Sequence, residues 1–82
     1  MKVVWTRAAL ADVEGCVPAG FRPALAARLQ GMMFLGQGRR CLEARFQGAR
    51  FLKFRYWLVM YVPVEEDTIA VVAVEYNYGQ GV

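Results

Sequence analysis

GARFLKFRYWLVMYVPVEEDTIAVVAVEYNYGQ, residues 48–80, decides the fold. Within it, two runs of β-branched and aromatic residues, Trp57–Val64 and Ile69–Tyr76, flank the acidic stretch Glu65-Glu66-Asp67-Thr68, a pattern that predicts a β-hairpin. Both runs are apolar on both faces, as strands in the covered centre of a sheet are. Something N-terminal must then cover that sheet.

Working outward, the N-terminal part supplies the cover. Lys2–Trp5 predicts a first strand. Thr6 is a helix cap for a segment to about Gly15, in which Ala9, Leu10 and Val13 share a face. Pro18-Ala19-Gly20 makes a turn. A second helix follows from Pro23, a residue suited to the first helical position, to about Leu35, with Phe21, Leu25, Leu29, Met32 and Met33 at helical spacing. Gly31 weakens its interior, and Gly36-Gln37-Gly38 ends it. Strands are then expected at Cys41–Phe46, at Arg50–Phe54 joined by a bend or bulge to Trp57–Val64, and at Ile69–Tyr76, with Gln47-Gly48-Ala49 as an intervening turn. The expected fold class is α+β: one small domain over residues 1–82, ordered β-α-α-β-β-β, with a mainly antiparallel sheet covered by a helical hairpin.

Eighty-two residues make one domain with a modest core, and an apolar fraction of 57% argues against disorder. It also suggests that a partner covers some apolar surface. The longest apolar runs have about eight residues, where a membrane-spanning helix needs roughly 20. No basic-then-apolar leader precedes the first strand, so a cytoplasmic protein that does not enter membranes is the expectation.

The chain contains no histidine and no serine, which excludes Ser/His, Cys/His and His-metal chemistry. Cys16 and Cys41 are isolated and read as small buried apolar residues, with a disulfide or a reactive thiol as the alternative; no metal and no cofactor is expected. Any catalysis would rest on Arg, Lys, Tyr or carboxylates.

Charge is divided along the chain. All ten basic residues lie within residues 1–55, against Asp12, Glu14 and Glu43, whereas residues 56–82 carry only Glu65, Glu66, Asp67 and Glu75. The net charge of +3 therefore hides a dipolar molecule. Arg39, Arg40, Arg45, Arg50, Lys53 and Arg55, interleaved with Phe46, Phe51 and Phe54, form the densest basic stretch. Such a pattern suits a phosphate backbone or an acidic protein. It equally suits the solvated faces of strands, because Leu42, Ala44 and Phe46 alternate with Glu43 and Arg45.

The element order, the opening Val4-Trp5-Thr6-Arg7-Ala8-Ala9-Leu10-Ala11-Asp12-Val13-Glu14, the strand Trp57-Leu58-Val59-Met60-Tyr61-Val62-Pro63-Val64-Glu65 and the Ile69–Gln80 segment together resemble the RelE/ParE superfamily of bacterial toxin–antitoxin toxins. In the branch that cleaves mRNA on ribosomes, an arginine usually follows the first aromatic of the penultimate strand, and basic, His or Tyr groups follow the last strand. Leu58, Ala73, Tyr76 and Gly79 stand at those positions here. Lys53 or Arg45 would have to supply charge, and Tyr76 or Tyr78 a proton.

The resemblance therefore implies the ParE-like branch, whose members bind DNA gyrase and trap its DNA-cleavage complex. On that expectation Arg39, Arg40, Arg45, Arg50, Lys53, Arg55, Tyr76 and Tyr78 are the residues that meet the target, and no catalytic residue is assigned. The resemblance also implies an acidic, partly disordered antitoxin that folds onto the toxin, with Phe21, Met32, Met33 and Phe34 as docking residues; packing of these side chains on the sheet is the alternative. A homodimer and a toxin–antitoxin hetero-oligomer are the assemblies in view. The other readings are an mRNA endonuclease with a degenerate site and an interaction protein without toxicity.

Overall fold

A computed structural model describes residues 2–32, 39–40 and 48–77. In chain order these form β1 (Lys2–Trp5), α1 (Arg7–Cys16), a 3-10 turn (Ala19–Phe21), α2 (Arg22–Gln30), β2 (Arg39–Arg40), β3 (Arg50–Phe54), β4 (Trp57–Glu65) and β5 (Thr68–Tyr76). The sheet order is β1-β5-β4-β3-β2; β1 runs parallel to β5 and every other pairing is antiparallel. The α+β order β-α-α-β-β-β holds, with the two-residue Arg39–Arg40 strand added at the far edge. The helices lie on one face of the sheet.

Thr6 starts α1 as expected: its Oγ1 accepts the Ala9 N–H at 3.1 Å. The same hydroxyl donates to the Val71 carbonyl at 2.8 Å, so the cap also pins the helix to β5. Ala9 and Val13 face the sheet, and Val17 continues that face beyond the helix. Leu10 does not belong to it, being 49% exposed. The reason is steric: α1 lies close against β5, so small Ala9 occupies the contact and turns its bulky neighbour outward.

α2 ends at Gln30, not near Leu35. A side chain at position 31 would bring its Cβ to 3.3 Å from the Ala27 carbonyl oxygen. Glycine avoids that contact but costs about 1 kcal/mol in a helix interior, and the chain leaves the helix there. Leu25, Leu29 and Met32 face the core. The expected Gly36-Gln37-Gly38 stop and the Cys41–Phe46 strand fall outside the described residues.

The bend expected between Phe54 and Trp57 is a complete reversal. Phe54 pairs with Trp57 across a loop of Arg55 and Tyr56, making β3 and β4 two strands of a hairpin. At the opposite end of the sheet, Glu66 and Asp67 turn β4 into β5, and the Thr68 hydroxyl donates to Asp67 Oδ1 at 2.9 Å.

A bulge in β5 governs which residues enter the core. Met60 pairs with Ala73 and Tyr61 with Val71, leaving Val72 unmatched. The extra residue shifts the alternation, so Val71 and Val74, three apart, both face the helices. On the other face, Met60 and Ala73 are also buried, as the two-sided apolar runs anticipated.

Beyond Val71, β5 has no strand on its β1 side among the described residues, and α1 closes that edge instead. Asp12 Oδ2 accepts the Val74 N–H at 3.0 Å, and the Cys16 thiol lies 3.8 Å from the Val74 carbonyl oxygen. A carboxylate thus replaces a ladder carbonyl, and an open strand edge is avoided.

Candidate functional site

The hairpin loop between β3 and β4 gathers side chains that fold stability does not account for. Arg55 adopts φ 52°, the left-handed region that favours glycine or asparagine in two-residue hairpin loops. Its guanidinium lies over Phe21 at 5.5 Å from the ring centroid and over Phe54 at 6.0 Å. Among the described residues no carboxylate pairs with it. An arginine kept where backbone strain disfavours it, with its charge unneutralised, marks a place to look for recognition.

Trp57 is the floor of this site. The buried indole packs against Phe21 at 5.3 Å and Phe54 at 6.3 Å, and its Nε1–H donates to the Cys16 carbonyl at 2.9 Å. That bond satisfies the indole and ties the end of α1 to the sheet. Two tyrosines meet Trp57 edge-on, Tyr56 at 5.7 Å and Tyr76 at 6.3 Å. They remain 57% and 43% exposed, respectively. The Asn77 N–H donates to the Tyr56 carbonyl at 2.7 Å, which fixes the loop against the end of β5. A half-exposed aromatic rim with a guanidinium beside it is a surface suited to binding.

Arg22 is engaged elsewhere. Its Nε donates to the Val17 carbonyl at 2.9 Å and its Nη2 to the Glu14 carbonyl at 3.5 Å, so it satisfies carbonyls at the C-terminus of α1. Cys16, next to that end, is a half-buried thiol. Burial first, then the Asp12 and Glu75 carboxylates, raise its pKa above the ordinary thiol value, which keeps it protonated and a poor nucleophile.

The sheet divides the basic stretch. Arg50, Leu52 and Phe54 alternate with Phe51 and Lys53 along β3, and Leu52 and Phe54 belong to the core under the helices. Arg50 therefore stands on the helix side, half-buried and opposite Tyr61, whereas exposed Lys53 stands on the other face, opposite Leu58. Arg55 leaves both faces at the loop. Arg39 and Arg40 pair through their backbones with Phe51 and Arg50. Arg45 and Tyr78 lie outside the described residues, so Arg55 and Tyr76 are the expected target residues brought together here.

Of the expected docking residues, Met32 is buried in the core and Phe21 is half-buried between Trp57 and Arg55. Met33 and Phe34 lie outside the described residues. Tyr56, absent from the sequence-derived set, is the most exposed aromatic of the site. Its signal was the two-residue spacing between the apolar runs ending at Phe54 and beginning at Trp57, hidden because Arg-Tyr lacks the glycine or asparagine of common hairpin loops.

Among the described residues, no cluster of His, Cys, Asp or Glu has the makings of a metal site, and no helix is long and apolar enough to cross a membrane. Comparison with known proteins finds no family model, curated protein or solved structure that matches the chain.

Proposed function

We propose that this chain is a small toxin-like binding protein of the RelE/ParE kind, acting by occupying a macromolecular partner without breaking a bond in it. The proposed target is DNA gyrase, and an acidic antitoxin is the proposed neutralising partner. The observation that carries the reading is the site around the Arg55–Tyr56 loop, where a guanidinium that pairs with no carboxylate among the described residues stands beside two half-exposed tyrosines, Tyr56 of the loop and Tyr76 of β5, on a buried indole floor. Cleavage of RNA by its own 2′-hydroxyl calls for a base, an acid and a cation converging at hydrogen-bond distance on one phosphate. Lys53, Arg55 and Tyr76 are instead spread over one face, a loop and a ring packed edge-on, an arrangement better matched to contact than to proton transfer.

Local charge also favours a protein over a long nucleic-acid track. A phosphate backbone approaching Arg55 would also meet the carboxylates of Asp12 and Glu75, which lie near enough to Cys16 to raise its pKa, next to the carbonyl that holds the Trp57 indole. A protein surface with one well-placed acid beside apolar side chains fits better.

Induction of the chain in bacteria carrying a DNA-damage-response reporter tests the reading. Growth arrest with reporter induction, both lost in Arg55→Ala, is the expected result. Arrest with a silent reporter would replace gyrase by the translation machinery, and no arrest from soluble, folded protein would remove the toxin reading.

A further inference from the structure

Among the described residues β1 ends the sheet, and no strand pairs with its outer side. The backbone N–H groups of Lys2 and Thr6 donate to the carbonyls of Asp67 and Val71 at 2.6 and 3.1 Å. In a parallel ladder this means that Lys2, Val4 and Thr6 turn their peptide groups toward β5, whereas Val3 and Trp5 turn theirs away. Among the described residues nothing meets those outward groups. Unlike the edge of β5, which Thr6, Asp12 and Cys16 close, this edge is covered by no side chain among the described residues, and β1 itself holds no proline or bulge and has Lys2 as its one charge.

The side chains on β1 are apolar as well. Val4 is 49% exposed on the face away from the helices. Val3 and Trp5 pack only partly against the core from the helix side. An edge offering two free peptide groups, an exposed valine and a half-covered indole is built for strand addition.

We propose that a second copy of this chain pairs with this edge, the two β1 strands running antiparallel about a twofold axis at Val4. In that register Val4 lies opposite the partner's Val4 as a non-hydrogen-bonded pair, the kind in which side chains come closest. Val3 lies opposite the partner's Trp5, and Trp5 opposite the partner's Val3, as hydrogen-bonded pairs that use every outward N–H and C=O of both strands. Each indole then covers a valine across the axis, and each Lys2 lies opposite the partner's Thr6. The two lysines stand about 13 Å apart along the strands. Centring on Val3 would instead set Lys2 against the partner's Val4 and leave each Trp5 without a partner residue in β1.

Self-complementarity favours a copy of this chain over a foreign strand. The Val-Val-Trp core of β1 satisfies itself about one twofold axis, and both copies contribute the same patch, as a closed dimer requires. The inference does not depend on the toxin-like reading.

Sedimentation of the full chain from about 1 to about 300 micromolar tests it, a range that brackets the affinity expected of a small interface. The expected result is conversion from one chain to two. Val3→Pro removes only an outward N–H, and Val4→Lys places like charges opposite each other; each should weaken the dimer at least about tenfold. Circular dichroism would verify that both variants remain folded, and Val4→Lys alone decides the matter if Val3→Pro does not fold. In a Cys16→Ser, Cys41→Ser background, oxidised Val4→Cys should form a disulfide dimer and Lys2→Cys should not. A single-chain species across the whole range, or a dimer indifferent to Val4→Lys, would overturn the proposal, as would pairing of this edge only with a different protein.

Discussion

At Arg55, backbone cost and surface chemistry can be separated by substitution. A residue with a Cβ at its φ of 52° carries roughly 1–2 kcal/mol of strain, and the guanidinium over the half-buried Phe21 ring returns about 0.5–1 kcal/mol. Arg55→Ala keeps the strain and loses the ring contact, so it should destabilise the fold by about 1 kcal/mol. Arg55→Gly loses the same contact but relieves the strain, while gaining about 0.5–1 kcal/mol of unfolded-state freedom. Its stability should then stay within about 0.5 kcal/mol of the parent. For a domain of this size, 1 kcal/mol corresponds to a shift of about 4–8 °C. Thermal unfolding followed by circular dichroism should therefore separate the alanine variant from both the glycine variant and the parent.

If Arg55→Gly melts at or below Arg55→Ala, the strain assigned to this loop is absent. Function adds a second arm. Both variants lack the guanidinium, so both should lose growth inhibition even though the glycine variant is as stable as the parent. Full toxicity from Arg55→Gly would refute the placement of recognition at this loop.

Asp12→Ala should cost about 1–3 kcal/mol in urea unfolding, because the Val74 N–H loses its acceptor, and Asp12→Asn should recover part of the loss. Leu29→Ala should cost about 2–5 kcal/mol and Leu10→Ala no more than about 0.5 kcal/mol; equal losses would contradict the assignment of the helix faces. In a Cys41→Ser background, Cys16 should react with iodoacetamide more slowly than free cysteine at pH 8 and accelerate only above the ordinary thiol value of 9.0. Because its pKa is raised in the fold, Cys16's contribution to stability is complete below 9.0 and declines as pH rises past it, which denaturation at pH 8 and pH 10 would detect.

The long apolar runs made the strands legible, and Thr6 made the first helix start legible, because each is decided by neighbours a few residues away. What escaped depended on partners far along the chain. The phase slip at Val72 could not be read from the alternating valines of β5, since it arises from the register between Met60–Tyr61 and Val71–Ala73. Leu10 looked like a core residue until the closeness of α1 to β5 favoured Ala9 instead. Asp12 completes a strand edge and Arg22 a helix end, both through backbone groups that no side-chain pattern announces. At the site, charge and aromaticity mark Arg55 and Tyr76 in the sequence, and only the hairpin reversal explains why they meet around Trp57.

That reversal also turns the uneven charge of the sequence into direction. The Arg55–Tyr56 loop and the Glu66–Asp67 turn cap opposite ends of β4, whose nine residues span about 26 Å. This separation exceeds the screening length of about 10 Å at 0.1 M salt, so an approaching partner senses one end at a time. Under the proposed reading, an acidic partner is attracted at the Arg55 end and repelled at the Glu66 end, which orients it before any close contact forms. Raising the salt concentration should therefore slow association of such a partner more than it speeds dissociation. Glu66→Gln, remote from the loop, should leave the dissociation rate unchanged. A dissociation rate that follows Glu66 would mean that the partner is held by the acidic turn, not by Arg55 and its tyrosines.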